Sequence, residues 1–418
     1  MVHSLEVLVD GSSPVAPAVV DRRIRHGTAA FRRTNLALFS SGFATFGLLY
    51  CVQPLMPDFS RAFGVDAATS SLSLSLTTGV LAVAMLFAGA ISDAWGRKPV
   101  MLASLLGSSV LVLLTATVHG WWTLLVLRTL LGVTLAGLPA VAMTYLSEEV
   151  HGESLGFAMG LYIGGNAIGG MGGRLISGFA ADHGSWRFAL ALIGMLGLLA
   201  AALVAKGLPP SLHFVKRRAH PRALLSSFGS LWKDKGLPWL FAEGFLLMGA
   251  FVTIYNYVSF RLLAPPYSLS QSHVGAIFMV YLVGVVGSAW IGSIADRLGR
   301  RRVLWATLTI MLAGVILTAS TSLWVIVGGI AVLTFGFFGG HSIASSWVGK
   351  RAAFARAHAS SFYLFSYYMG SSVAGSLGGL AWTHGGWNGV VCYAAALVVA
   401  GLAIALRLRG LTPSASAS

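Results

Sequence analysis

Long hydrophobic runs separated by short polar segments dominate the chain. A helix needs roughly 20 apolar residues to cross the hydrocarbon core of a bilayer. Runs of about that length lie at 35–56, 70–91, 99–118, 122–146, 155–180, 187–206, 238–260, 274–294, 303–320, 323–347, 360–381 and 388–406. The pattern predicts an all-α membrane protein with twelve transmembrane helices.

The longest interruption of this pattern lies in the middle of the chain and contains the basic run Lys216-Arg217-Arg218. It leaves six apolar runs on each side, so we expect two six-helix bundles joined by a basic linker. The expected order is a flexible tail, a bundle, the linker, a bundle and a second tail, at 1–33, 34–206, 207–237, 238–406 and 407–418.

Composition agrees with a lipid environment. Hydrophobic residues make up 56% of the 418 residues and charged residues 10%, whereas a soluble domain carries about 25% charged residues. The net charge of +15 raises the possibility of nucleic-acid binding. The basic residues, however, form short clusters between apolar runs rather than one face, which indicates membrane topology instead.

The placement of the 28 Lys and Arg residues predicts the orientation. Only Arg61, Arg187 and Arg261 fall on one side of the expected membrane, and Arg128 and Arg174 lie within runs. The other 23 fall in segments on the opposite side. Basic residues concentrate in cytoplasmic loops, so we expect both termini in the cytoplasm and the protein in a bacterial inner (plasma) membrane.

Two short motifs recur in the two halves. The first motif, after the second run, has Gly89, Asp93, Gly96, Arg97 and Lys98, and its copy after the eighth run has Gly292, Asp296, Gly299, Arg300 and Arg301. The copies are 203 residues apart. His183-Gly-Ser-Trp186 and His384-Gly-Gly-Trp387 form a second pair, 201 residues apart. Two repeats at nearly one offset predict a parallel duplication, with halves related by a pseudo-two-fold axis along the membrane normal.

The Gly-x-x-x-Asp-x-x-Gly-Arg-Lys/Arg motif resembles the signature loop of the major facilitator superfamily. The glycines suit a close helix crossing and a tight turn. The resemblance implies that the acid and the following arginine form a gate that locks the cytoplasmic side. Arg128 and Gly132 match the family's Arg-x-x-x-Gly element, and Tyr50-Cys-Val-Gln-Pro54 resembles the branch of arabinose-type and drug efflux permeases.

The fifth run is glycine-rich, as in exporters of that superfamily, but it departs from their motif. The usual Gly-Pro step is missing, and Arg174 follows the last pair of glycines, Gly172 and Gly173. This departure argues against a typical drug/proton antiporter.

Four ionisable residues inside the expected spans are candidates for transport or proton coupling, because such groups are costly in a membrane. Arg128 and Arg174 would lie roughly 9 Å below the outer boundary, at 1.5 Å per residue. We expect them to face water or a substrate acceptor. Glu243 and His341 would lie in the inner half and exchange a proton. The alternatives are an interfacial Glu243 that bonds a neighbour and a purely structural His341.

By resemblance to the superfamily, helices one, four, seven and ten line the cavity. The polar candidates there are Tyr50, Gln53, Tyr255, Asn256, Ser342 and Ser345, with Asn166 on helix five and Tyr363, Tyr367 and Tyr368 on helix eleven. Aromatic side chains with polar tips suit sugars or mixed organic molecules.

The expected function is secondary active transport. The sequence has no phosphate-binding loop for a nucleotide, and Cys51 and Cys392 have no zinc-site or disulfide spacing. We therefore expect no cofactor, no metal and no enzyme activity. We expect a monomer that exports a small sugar-like or drug-like solute in exchange for protons by alternating access. Uptake of an anionic metabolite by symport is the main alternative. A membrane enzyme would need acids or histidines clustered at one depth.

Overall fold

The computed structural model describes residues 23–214, 216, 229–352 and 355–410. Within these ranges the long elements are all helices, and the β pairing is a single bridge between Ile24 and Val150. The crossing helices are α1 (Ala29–Tyr50), α2 (Ala67–Trp95), α3 (Arg97–Thr115), α4 (Trp121–Glu149), α5 (Gly152–His183), α6 (Trp186–Gly207), α7 (Leu237–Leu263), α8 (Gln271–Leu298), α9 (Arg300–Leu317), α10 (Leu323–Arg351), α11 (356–385) and α12 (387–409). The predicted all-α fold with twelve membrane-spanning helices is confirmed.

Several crossing helices are interrupted where they approach the centre of the molecule. α4 is broken between Leu135 and Pro139, and α8 contains a tight 3₁₀ turn at Phe278–Val280. α11 widens into a π-helical turn at Gly370–Ala374. α1 ends at Tyr50, six residues before the end of the predicted run, and a short helix, Met56–Phe63, follows it. Such breaks expose backbone carbonyl groups that side chains can bind.

The two signature loops are tight turns with the same backbone geometry. Gly96, between α2 and α3, has φ 96°, and Gly299, between α8 and α9, has φ 87°. These left-handed values strain any residue that has a Cβ. We call the end of the bundle that carries these turns and Lys350 and Arg351 the basic end, and the other the opposite end.

In the first half, α1 and α5 approach each other along a stripe of glycines. Gly165, Gly169 and Gly173 lie four residues apart on one face of α5. A Cβ on Gly169 would lie 2.2 Å from the carbonyl oxygen of Phe43, and one on Gly173 would lie 2.5 Å from Cα of Gly47. Small residues permit this contact between backbones, which is a main source of helix association in lipid.

In the second half, α7 and α11 make the same contact. Gly370, Ala374 and Gly378 correspond to the three glycines of α5 at an offset of 205. A Cβ on Gly370 would lie 2.1 Å from the carbonyl oxygen of Phe245 on α7. The shared register confirms the predicted parallel repeat.

The two halves meet at mid-membrane and at the opposite end. Gly178 on α5 packs against Gly275 on α8, and Gly379 on α11 packs against Ala68 on α2. The hydroxyl of Ser372 donates to the carbonyl of Ser75, 2.7 Å away.

The outer surface of the bundle is apolar, as a lipid-facing surface requires. Val126 on α4 is 58% exposed and Val286 on α8 is 71% exposed. Trp122 and Trp324, at equivalent first turns of α4 and α10, are also largely exposed. Tryptophan is enriched at membrane–water interfaces, so these two side chains mark one interface.

The glycine stripe predicts a stability effect. We expect Gly169→Ala to destabilise the protein by about 1–3 kcal/mol, because the new methyl group forces α1 and α5 apart. Gly160→Ala on the same helix is the matched control, since a Cβ there meets nothing within 4 Å. Thermal unfolding in detergent measures both, and equal melting temperatures would show that the stripe is loosely packed.

Candidate functional site

Arg174 lies on α5 directly after the last glycine of the stripe, nine residues before the end of that helix. It is buried, with 1% of its surface exposed. Its Nε donates to Oε1 of Gln53 and its Nη1 to the carbonyl of Gly170, both at 2.6 Å. The guanidinium also lies over the rings of Tyr50 at 4.2 Å and Tyr281 at 4.8 Å. Cation–π contacts of this kind stabilise a desolvated cation.

A short chain of hydrogen bonds links Arg174 to the other half of the molecule. Gln53, in the turn after α1, donates from Nε2 to Oδ1 of Asn256 on α7 at 2.6 Å. All three side chains are buried. Three of the predicted cavity residues, Tyr50, Gln53 and Asn256, therefore lie against Arg174 or within two hydrogen bonds of it.

Aromatic side chains line the second half between Arg174 and the basic end. We call this row the aromatic wall; its members are Tyr255, Phe251, Phe337, His341 and Tyr367. Phe251 and Phe337 stack at 3.8 Å between ring centroids, and His341 lies 6.0 Å from Phe337 and 4.6 Å from Tyr367. The hydroxyl of Tyr255 bonds to that of Thr334 at 2.7 Å.

The sequence predicted that Arg128 faces water or a substrate, and this prediction is wrong. It is fully buried, and its three nitrogens donate to carbonyl groups. Nη1 and Nη2 bind Leu48 and Leu49 at 3.2 and 2.8 Å, and Nε binds Ser73 at 2.8 Å. Because α1 ends at Tyr50, the carbonyls of its last turn lack helical partners and carry partial negative charge. Arg128 therefore stabilises the end of α1.

Glu243 lies six residues from the start of α7, and its side chain is fully buried within the protein. Neither of its carboxylate oxygens has a hydrogen-bond partner among the described residues. It faces α12, where a Cβ on Gly401 would lie 3.1 Å from Oε1. An ionised carboxylate in such a place would be very costly.

His341 bonds to a tyrosine rather than to Glu243. Its Nδ1 lies 3.0 Å from the hydroxyl of Tyr363. The ring of Tyr363 in turn packs against Gly244, the residue after Glu243. Tyr363 thus separates the expected pair: it packs against the helix that carries Glu243 and forms a hydrogen bond with His341.

The remaining cavity candidates lie toward the basic end. Ser342 and Ser345 on α10 are partly exposed, and the hydroxyl of Ser345 donates to the carbonyl of Ser342 at 3.2 Å. Asn166 on α5 packs against Gly42 of α1, and its Oδ1 is buried without a partner among the described residues. Tyr368 on α11 is buried.

In the first signature loop, Arg97 binds two acids. Nη1 donates to Asp93 at 2.6 Å, and Nη2 and Nε hold the carboxylate of Glu148 at 2.8 and 3.1 Å. Sequence reasoning missed Glu148, although an acidic pair, Glu148-Glu149, in an otherwise basic end was a visible signal. Lys98 instead donates to the carbonyls of Ala205 and Leu208 on the α6 side.

The second signature loop has fewer ionic contacts than the first. Arg300 donates to Asp296 at 2.7 Å and to the hydroxyl of Ser346 at 3.0 Å, and Asp296 is largely exposed. Arg301 follows at the start of α9. The close helix crossing expected at the first glycine of each motif is not made here. A Cβ on Gly89 would meet nothing within 4 Å, and one on Gly292 would only reach a hydroxyl at 4.0 Å.

Two charged contacts tie the linker to the two halves. The carboxylate of Glu149, at the end of α4, accepts from the backbone N–H of His213 at 2.8 Å and lies 3.0 Å from its Nδ1. Arg351, at the end of α10, donates to Asp234. The central part of the predicted linker, residues 217–228, lies outside the described residues, as does most of the predicted N-terminal tail.

Comparison with known proteins agrees with this architecture. The sequence matches the Major Facilitator Superfamily over residues 38–274 and 246–418. The chain belongs to this superfamily. It is 50% identical to the inner membrane transport protein YnfM of Escherichia coli strain K12, over 92% of each chain. It is also 50% identical to the MFS-type transporter YybF of Bacillus subtilis strain 168, over 88% of this chain and 91% of that one.

A crystal structure of the nucleoside transporter NupG has the same fold. The TM-score is 0.76 at 16% sequence identity, covering 89% of this chain and 99% of that one. Together with the relatives, this likeness identifies the protein as a multi-pass membrane transporter of the major facilitator superfamily.

The linker contact at Asp234 predicts a pH-dependent stability. Partial burial raises the pKa of the Asp234 carboxyl, but the hydrogen bonds from Arg351 and from the N–H groups of Gly236 and Leu237 outweigh it, so the pKa lies below its usual value. The contact then stabilises the fold above the unfolded-state pKa, near 3.8, and is lost as the pH falls through the lower folded pKa.

We therefore expect Asp234→Asn to lower the melting temperature by a few degrees at neutral pH, as for loss of a charged hydrogen bond of about 1.5–3 kcal/mol. The difference from the wild type should vanish in acid. Glu153→Gln is the control, because that side chain is 90% exposed. A difference that persists unchanged below the folded pKa would contradict the ionic role of Asp234.

Proposed function

We propose that this transporter exports a small organic solute in exchange for protons. The observation that carries the proposal is the partnerless, fully buried carboxyl of Glu243 on α7. A neutral carboxyl is tolerated there and an ionised one is not. Glu243 would therefore hold a proton in this conformation and release it in one that exposes the side chain to water.

The orientation is part of the proposal. The basic end would face the cytoplasm, because basic residues concentrate on that side of inner-membrane proteins. The bonds between halves at mid-membrane and the opposite end, such as that from Gln271 to Asp58 at 2.7 Å, would then close external access. Near the basic end, the polar side chains of Ser342 and Ser345 on α10 are partly exposed. This conformation would accept a solute from the cytoplasm.

Tyr363 and His341 would form the path between Glu243 and the cavity. Tyr363 packs beside Glu243 on Gly244, and its hydroxyl bonds to His341, which is partly exposed. A hydroxyl and an imidazole can both pass a proton by donating one and accepting another. In this scheme His341 relays the proton and Glu243 stores it.

The first test is a solute-panel export assay. Cells with and without the protein are loaded with labelled sugars, carboxylic acids and aromatic drugs, and export is followed at an acidic and an alkaline external pH. We expect export of at least one class, faster in acid. Inward accumulation in proteoliposomes with no counter-flow of protons would overturn the proposal.

The second test concerns Glu243. We expect Glu243→Gln to reduce proton-driven export by about tenfold or more, equivalent to about 1.4 kcal/mol, while exchange of solute for solute continues. The amide keeps the volume of the side chain but cannot release a proton. Glu153→Gln is the exposed control. If driven export survives in the Glu243→Gln variant, Glu243 is not the proton site.

The third test concerns the gate. Asp93→Asn removes one of the two acids that hold Arg97, so we expect several-fold slower transport with an unchanged substrate affinity. Asp296→Asn is the matched control in the second copy, where the acid is 64% exposed, and should have a smaller effect. A selective loss of affinity in Asp93→Asn would contradict a gating role.

A further inference from the structure

Arg174 has an unused donor and no acidic partner. Nε and Nη1 are engaged, but Nη2 donates to no described residue. No carboxylate of the described residues lies within ion-pair distance of the guanidinium. Arg128, buried to the same degree, donates from all three nitrogens. The protein therefore supplies acceptors for all three nitrogens of Arg128 but for only two of those of Arg174.

A second unused donor lies two hydrogen bonds from Arg174, on Asn256 of α7. Nδ2 of Asn256 is buried and has no hydrogen-bond partner among the described residues. Asn256 accepts from Gln53, which accepts from Arg174, so the two free donors lie at the ends of one short chain. A buried donor without an acceptor lowers the stability of the protein, and more so when the donor is charged. The site therefore lacks acceptors and negative charge.

The neighbouring side chains indicate what else a ligand must have. Three aromatic rings, of Tyr50, Phe278 and Tyr281, surround the guanidinium. Tyr255 stacks on Phe278 at 5.3 Å and begins the aromatic wall, which continues to His341. Flat rings pack well against such a surface. A sugar would bring donors as well as acceptors to a place where donors are already in excess.

We propose that this site binds an aromatic carboxylic acid in its ionised form, which rests on the proposed transport of a small organic solute. The carboxylate accepts hydrogen bonds from Nη2 of Arg174 and Nδ2 of Asn256, and the ring lies against the aromatic wall. A guanidinium matches the planar geometry of a carboxylate. Because Arg174 and Asn256 belong to different halves, the ligand bridges the halves where they must separate.

Binding to the purified full-length protein tests the proposal without transport. The probes are benzoate and benzamide, which share the ring and the approximate shape but differ in charge, and titration calorimetry in detergent gives both affinities. We expect benzoate to bind at least about tenfold more tightly. Cyclohexanecarboxylate should bind more weakly than benzoate if the aromatic wall holds the ring. Equal binding of benzoate and benzamide would overturn the proposal.

Three variants assign the preference to this site. Arg174→Gln should bring the benzoate-to-benzamide affinity ratio close to one. Asn256→Asp should do the same while Arg174 remains, because the new carboxylate takes the place of the ligand's. Arg128→Gln should lower the melting temperature but leave the ratio unchanged. A ratio that persists in both Arg174→Gln and Asn256→Asp would place the anion elsewhere and overturn the proposal.

Two further results separate this proposal from the proposed function. If benzoate binds with the expected dependence on Arg174 but a pH gradient drives no export, the anion site stands and proton coupling fails. If proton-driven export is observed only for neutral solutes and benzoate does not compete with them, the coupling stands and the anion site fails. Inorganic phosphate that displaces benzoate at equal concentration would show a general anion site and overturn the choice of an aromatic acid.

Discussion

The close approach of backbones along two stripes of small residues is the contact on which the rest of the structure depends. On α5 the stripe brings Gly173 against Gly47 of α1, and this fixes Arg174, one residue later, beside the end of α1. Lipid offers no hydrophobic drive for helices to associate, so such packing must supply it. A larger residue in the stripe would weaken the pair of helices and also move Arg174, a buried cation that contacts both halves.

Much of the fold could be predicted from sequence, because each membrane span is a local property of about 20 residues and the repeated motifs reveal the duplication. The environments of the charged residues could not. The carbonyls of Leu48 and Leu49, which bind Arg128, are free only because α1 ends at Tyr50, six residues before the apolar run does. Gln53 and Arg174 are 121 residues apart, and their contact depends on tertiary packing. Arg174 and Glu243 could be identified as candidates from sequence, because an ionisable side chain inside a membrane span is energetically costly.

The repeat gives the two halves a common scaffold, and unlike residues at equivalent positions give each half its own chemistry. By the register of the stripes, Arg174 corresponds to Gly379. Gly165 contacts Phe39 and Gly370 contacts Phe245, so α1 and α7 align at an offset of 206 and Glu243 corresponds to Ala37. The buried cation therefore lies in the first half and the buried acid in the second half. In the proposed mechanism Arg174 binds the solute and Glu243 the proton, so the two need not compete for one residue.

The two charged contacts of the linker have opposite polarity at equivalent positions. Glu149 and Arg351 both end their helices, 202 residues apart, and bind His213 and Asp234 respectively. If the linker docked with its ends exchanged, Asp234 would face Glu149, and Arg351 would face His213. Each end of the linker is therefore complementary in its polar groups to its own half of the molecule, and the two ends are not interchangeable.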